Sequence, residues 1–254
     1  MGHLVKKNLL NGCCHITHRC QERKYFFKFS KDRDNYVRRL RETVKRYGIE
    51  VLNYIVTSNH THLLVYFKSA SELSNAMHFL EGSSAKDYNL RKKREGAFWR
   101  GRYHATLIED GEHLSRCLFY IDLNMIRAGV VKHPGEWKHC GYHELIGNRK
   151  RYKVINEESL LDKLQFSANT SYLRKWYSAS LEDELSKGFH KRVGFWSESI
   201  AVGCRGWIEN LVLESGNRKL KISNIDNYTV KEENSTYTLS GHTRSSKEFW
   251  SRYK

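Results

Sequence analysis

Val51-Leu52-Asn53-Tyr54-Ile55-Val56-Thr57-Ser58-Asn59-His60-Thr61-His62-Leu63-Leu64-Val65-Tyr66-Phe67-Lys68 carries the decision about the fold. Val51 to Val56 is β-branched and apolar and reads as a strand. Ser58-Asn59 supplies a turn, and His60 to Lys68 reads as a second strand. Upstream, Ser30 to Tyr47 spaces Tyr36, Val37, Leu40, Val44 and Tyr47 as a helix does, with Gly48 as its stop. Before it, Cys14 to Cys20 alternates and reads as a strand. Downstream, Ser71 to Leu90 puts Leu73, Met77, Leu80 and Tyr88 on one helical face. Tyr103 to Ile108 is a short strand. Asp110 to Ala128 is a helix with Leu114, Leu118, Ile121 and Met125 as its apolar stripe, closed by Gly129.

The order β-α-β-β-α-β-α predicts an α+β fold, the ferredoxin-like split βαβ with an antiparallel sheet and an extra helix at its C-terminal end. Such a sheet places its helices on one face and leaves the other for a site. The chain has 254 residues, enough to bury a core without staples, and 39% hydrophobic with 13% aromatic residues argues against disorder. Two regions are expected, 1–148 and 149–254, with Pro134 and Gly147-Asn148-Arg149-Lys150 marking the boundary. In the second, Glu157–Phe166, Leu173–Lys187 and Glu198–Glu214 look helical, so it reads as a small, mostly helical extension. Tyr172, Trp176, Trp196 and Trp207 would form its core, or serve an accessory module for a structured DNA end. From Asn224 on, the composition predicts a short hairpin or disorder.

The formal net charge is +16, from 44 Lys+Arg against 28 Asp+Glu. Residues 1–150 hold 27 basic and 15 acidic residues, a net of +12, and the remainder contributes +4. That bias favours a polyanion, nucleic acid first. No apolar run is long enough for a membrane helix, the start lacks a secretory signal, and six scattered cysteines without CxxC read as reduced thiols. A cytoplasmic protein without membrane contact is expected, acting at the bacterial nucleoid.

On a strand, His60 and His62 point to one face, where two imidazoles suit a divalent metal. A lone His-x-His pair is equally two satisfied surface histidines. Tyr120 and Asn124, four apart, share a helical face off the apolar stripe. A tyrosine is a usable nucleophile, and a carboxamide oxygen suits Mg²⁺ or Mn²⁺. An ordinary boundary tyrosine and a solvent-facing asparagine are the plain alternatives.

Asn59-His60-Thr61-His62-Leu63-Leu64, then Phe98-Trp99-Arg100-Gly101-Arg102-Tyr103-His104, then Tyr120-Ile121-Asp122-Leu123-Asn124 and Arg127-Ala128-Gly129-Val130 follow one another in order. Together they resemble the HUH single-tyrosine transposases, most nearly the REP-associated tyrosine transposases, over residues 10 to 147. The resemblance implies His60 and His62 as metal ligands, Tyr120 as nucleophile and Asn124 as a further ligand, with Mg²⁺ or Mn²⁺ as cofactor. It implies transesterification on single-stranded or hairpin DNA at palindromic repeats, through a 5′-phosphotyrosine intermediate. Two positions depart from the pattern. Thr61 stands where a bulky apolar residue is usual, and its side chain is expected in the core. Met125-Ile126 replaces the usual Pro-Val, so the helix is expected to continue.

Arg91, Lys92, Lys93 and Arg94 end the second helix, and Arg100 and Arg102 follow beside Phe98 and Trp99. Cations interleaved with rings suit a DNA strand, while a solvated helix end is the plain reading of the run. Arg38, Arg39 and Arg41 read as a solvated face. Two alternatives to a transposase stand: a catalytically idle DNA- or RNA-binding regulator on the same fold, and a rolling-circle replication initiator or relaxase nickase. Monomer and homodimer are both open.

Overall fold

The computed structural model describes residues 11–188, 192–215, 220–224 and 236–241. Strand β1 (Gly12–Arg19) leads to helix α1 (Ser30–Tyr47), strands β2 (Glu50–Val56) and β3 (His60–Phe67), helix α2 (Ala70–Lys92) and strand β4 (His104–Ile108). These strands pair antiparallel in the order β2-β3-β1-β4. Each helix therefore returns the chain across one intervening strand, the split βαβ arrangement that the periodicity predicts.

Local chemistry sets the joints. Gly48 caps α1 in the left-handed region at φ 76°, where its N–H reaches the Val44 carbonyl. Ser69 caps α2 by accepting from the Glu72 N–H, and the Glu72 carboxylate accepts from the Lys68 N–H. Between β2 and β3, the Thr57 N–H and hydroxyl both donate to the His60 carbonyl, closing a tight turn.

Helix α3 (Glu112–Asp122) is interrupted at Leu123, and α4 (Asn124–Arg127) follows. The expected unbroken helix over 110–128 is thus divided. The bonds Leu123 N–H to Phe119 carbonyl and Arg127 N–H to Leu123 carbonyl keep both pieces on one course. Beyond lie α5 (Tyr142–Leu145), α6 (Glu157–Lys163), α7 (Thr170–Ser186), α8 (Phe195–Glu198), β5 (Ala201–Gly203), α9 (Arg205–Ser215), β6 (Leu220–Asn224) and β7 (Tyr237–Gly241). β5 pairs parallel with β4, and β7 and β6 continue the sheet to seven strands.

The helix expected over 198–214 is split. Ala201-Val202 joins the exposed edge of β4, and Gly203 admits the Trp207 ring so closely that a Cβ would lie 2.3 Å from it. The four C-terminal aromatic residues form no core of their own. Trp176 packs against Phe119 and Phe166, Trp196 beside Tyr120 and Phe195, and Trp207 over Gly203. The expectation for the tail beyond Asn224 falls mostly outside the described residues. All six cysteines are free thiols, five of them buried.

Alternation divides the sheet's two faces. Thr61, Leu63, Val65 and Phe67 face one way, toward the layer of α1 and α2, where Thr61 accepts from the Tyr36 hydroxyl at 3.4 Å. Thr61 is 1% exposed, in the core as expected. His60, His62 and Leu64 face the other way. That second face is not open: α3, α6 and α8 pack across it. The reason is apolar area, since Leu64, Ile108, Leu114, Leu118 and Ile121 all need cover from water.

Candidate active site: two histidines, an asparagine and a tyrosine

Four of the residues singled out in the sequence come together between β3 and the α3–α4 segment. The His60 and His62 rings lie 5.0 Å apart between centroids, and the Tyr120 ring lies 6.4 Å from His62. Asn124 donates from Nδ2 to His62 Nε2 at 3.0 Å and also bonds the His60 ring. Asp122, 1% exposed, sets the rotation of this segment. It accepts from Asn53 of β2 at 3.0 Å and from the Tyr177 hydroxyl of α7 at 2.9 Å. Burial pushes its carboxyl up to about 7. Tyr120 and Asn124 flank that anchor and turn toward β3.

The protonation of His60 follows from its neighbours. Its Nδ1 lies 2.7 Å from Asn59 Oδ1 and 2.9 Å from Thr57 Oγ1. The Thr57 hydroxyl spends its own proton on the His60 carbonyl, so both neighbours accept and His60 Nδ1 carries the proton. Its Nε2 is then a lone pair. Burial lowers His60 to about 3, helped by the charges of Arg19, Arg192 and Arg127. His62 falls well below 6.5, through burial and then its neighbours His15 and His60. Both rings are neutral at pH 7, the state in which imidazole binds metal.

These residues fit a divalent cation. Among the described residues no three of His, Cys, Asp or Glu cluster for one. The donor set is two imidazole nitrogens and one carboxamide, which leaves coordination positions free for substrate oxygens. Turning the Asn124 amide about its last torsion presents its oxygen in place of its NH₂.

Tyr120 is 8% exposed, and burial raises its hydroxyl above the ordinary 10. Arg127 opposes that rise. Its guanidinium stands 4.0 Å from the ring centre and donates to the Tyr120 carbonyl at 2.6 Å. Arg192 adds its charge to Tyr120 and to both Arg19 and His60. Three arginines thus converge electrostatically on the site.

The basic run lies elsewhere. Arg91 pairs with Asp32 of α1, Lys92 stands 4.9 Å from the Phe29 ring, and Arg94 stacks over Phe26 at 4.6 Å. Lys93 is the left-handed cap of α2, and Arg102 is exposed in the loop before β4. The run belongs to the helical layer on the far face of the sheet. Arg100 is nearer the site, since its N–H donates to the Arg19 carbonyl and its charge acts on Arg19.

Sequence reasoning missed His15, Arg19 and Arg192, placed Trp196 in a C-terminal core or accessory module and not beside Tyr120, and assigned no role to Arg127. His15 and Arg19 carry a signal in hindsight: with Thr17 they alternate on one face of β1, which the fold pairs with β3. Arg192 and Trp196 carry none, because they reach the site from more than seventy residues beyond Tyr120.

Residues 9–124 match the family model described as IS200-like transposase. No curated protein matches the chain. Among solved structures, one described as a REP-associated tyrosine transposase bound to a REP hairpin is 15% identical, covering 56% of this chain and 83% of that one at a TM-score of 0.47. A transposase structure from Deinococcus radiodurans is 16% identical, covering 47% and 91% at a TM-score of 0.35.

Proposed function

Because residues 9–124 match the IS200-like transposase model, we propose that the chain is a transposase of that kind, which cleaves and rejoins single-stranded DNA through a covalent link to Tyr120, with a divalent cation held by His60, His62 and Asn124. The convergence of a buried tyrosine with two neutral, lone-pair-bearing histidines and a carboxamide carries this reading. The cation, Mg²⁺ or Mn²⁺, supplies Lewis-acid polarisation of the scissile phosphate.

The chain's own residues do the rest. The Tyr120 oxygen bonds to phosphorus as the bond to the 3′ oxygen breaks, leaving a 5′-phosphotyrosine and a 3′-hydroxyl. Its raised pKa keeps the phenol protonated at rest, so the proton departs as the attack proceeds. Arg127 and Arg192 favour the phenolate and the charge gathering on the phosphate. The ester bond is conserved, so the reverse attack by a 3′-hydroxyl rejoins the strand without a nucleotide cofactor. Arg19 and Arg100 extend the positive potential along β1, and exposed Lys92, Lys93 and Arg102 serve a wider DNA footprint. Arg91 and Arg94 are engaged within the protein and steady α2.

Incubation with Mn²⁺ and single-stranded hairpin DNA tests this on a denaturing gel. A covalent protein–DNA adduct is expected, reduced roughly 10⁴-fold or more by Tyr120→Phe. DNA binding without any adduct from the wild type is the result of a regulator that kept the fold and lost cleavage.

A further inference from the structure

His15 of β1 sits behind the histidine pair and is 0% exposed, out of reach of a DNA strand. Its Nδ1 lies 2.7 Å from the Trp196 carbonyl oxygen, and its Nε2 lies 2.8 Å from His62 Nδ1. We propose that His15 is a positioning residue: a hydrogen-bond relay from the Trp196 carbonyl through His15 sets the tautomer of His62 and leaves His62 Nε2 as a lone pair aimed at Asn124. Its use for metal binding rests on the reading above, while the relay itself does not.

The direction of the relay follows from donor and acceptor chemistry. A carbonyl only accepts, so His15 Nδ1 carries a proton. A neutral His15 then has a bare Nε2, which must accept, and the donor is His62 Nδ1–H. His62 Nε2 is left bare, and Asn124 Nδ2 donates to it at 3.0 Å. The opposite polarity needs a doubly protonated His15. Its ring nitrogens meet only a carbonyl and another imidazole, and the charges acting on it are those of His104 and Arg127. A buried imidazolium without a carboxylate is strongly disfavoured. The rings also have the right attitude. Their planes differ by 17° and their centroids are 5.0 Å apart, the hydrogen bond plus one ring radius at each end. They lie edge to edge, nearly coplanar, as an in-plane N–H···N bond requires.

The start of the relay is held in place independently. Leu107 N–H donates to the Ile200 carbonyl at 2.8 Å, and the Thr106 hydroxyl donates to the Ser199 carbonyl at 2.8 Å. These bonds seat α8 and the chain after it along β4, beside β1, and put the Trp196 carbonyl over His15. Residue 196 thereby acts on the orientation of residue 62, so the C-terminal region takes part in the site. Metal-bound histidines commonly need a partner of this kind on the second nitrogen.

Two measurements test it. Long-range proton–nitrogen NMR of metal-free protein labelled with ¹⁵N-histidine reads the tautomers directly. The expected result is His62 protonated on Nδ1 in the wild type and not uniquely so in His15→Phe. Mn²⁺ titration followed by EPR is expected to weaken about 10–100-fold in His15→Phe and to stay within about threefold in His15→Gln, whose amide still offers one donor and one acceptor. His62 protonated on Nε2 in the wild type overturns the proposal, as does His15→Phe keeping both the wild-type tautomer and the wild-type Mn²⁺ affinity. If His15→Phe does not fold, the wild-type tautomer and the His15→Gln titration decide in the same way. A wild type with the expected tautomer but no Mn²⁺ binding defeats the metal reading and leaves the relay standing.

Discussion

His15 and His18 stand three residues apart on β1, and alternation sends them to opposite faces of the sheet. His18 points into the layer of α1 and α2. It bonds the Gly101 carbonyl at 3.0 Å, lies 3.1 Å from a Glu81 carboxylate oxygen and stacks on Trp99 at 4.2 Å. Its Nε2 is held by a carbonyl and its Nδ1 faces a carboxylate inside the protein, so neither nitrogen is turned toward an outside ligand. His15 faces the α3 and α8 side, where its bonds hand on a lone pair to His62. The same division runs along β3, with Thr61 and Leu63 in the helical layer and His60 and His62 at the site. Burial alone does not distinguish a functional histidine from a structural one. The difference lies in where the hydrogen-bond chain terminates, on a carbonyl within the protein or on an imidazole lone pair that meets only the Asn124 amide.

The largest effect expected from breaking this division is on stability. Leu63→Ala empties a fully buried position in the helical layer and should cost about 2–5 kcal/mol, read by urea unfolding. Mn²⁺ affinity of the folded protein should not change. Weakened metal binding with little loss of stability would show that the two faces are not separate. Next, Arg127→Ala should lower the rate of adduct formation about 10–100-fold, by removing the charge against Tyr120. Lys92→Ala, on the far face, should change it less than about twofold. Equal losses would return the basic run to the centre of the DNA path.

A separate effect concerns acid. Burial first, and then the charges of His104 and Arg127, hold His15 down at about 4 against 6.5 in the unfolded chain. Below pH 6.5 the unfolded state binds the extra proton, so stability falls as pH drops from 6.5 toward 4, by up to about 1.4 kcal/mol per pH unit. Below pH 4 this contribution ends. His15→Gln should flatten the slope in metal-free protein by that amount, measured as thermal unfolding against pH. A slope unchanged by the substitution would mean that His15 is not a buried neutral imidazole.

Most of residues 12–108 was legible because each element there has a local signature. The α1 helix runs from Ser30 to the left-handed Gly48 as its spacing predicts, and the β2–β3 turn follows from Thr57, Ser58 and Asn59. Where partners lie far apart in the chain, the reading thinned. Ala201-Val202 looked helical beside Glu198 and Trp207, and became a strand because β4 offered it an unpaired edge. The break at Leu123 has no proline to announce it. Arg91-Lys92-Lys93-Arg94 is the densest basic run in the first 150 residues, yet two of its four side chains are engaged within the protein by Asp32, Asn89 and Phe26.

By itself the sequence determined the succession of elements from β1 to α3, the face shared by His60 and His62, and the helical face shared by Tyr120 and Asn124, because periods of two and of about four residues are set by backbone geometry alone. Which of those faces became a site was decided by the tertiary structure. It placed Asn124 against His62, Arg127 over Tyr120, and the Trp196 carbonyl behind His15. The physical reason is range. Periodicity reports only neighbours along one element, whereas a lone pair, a tautomer or a shifted pKa depends on atoms that meet only when distant segments pack.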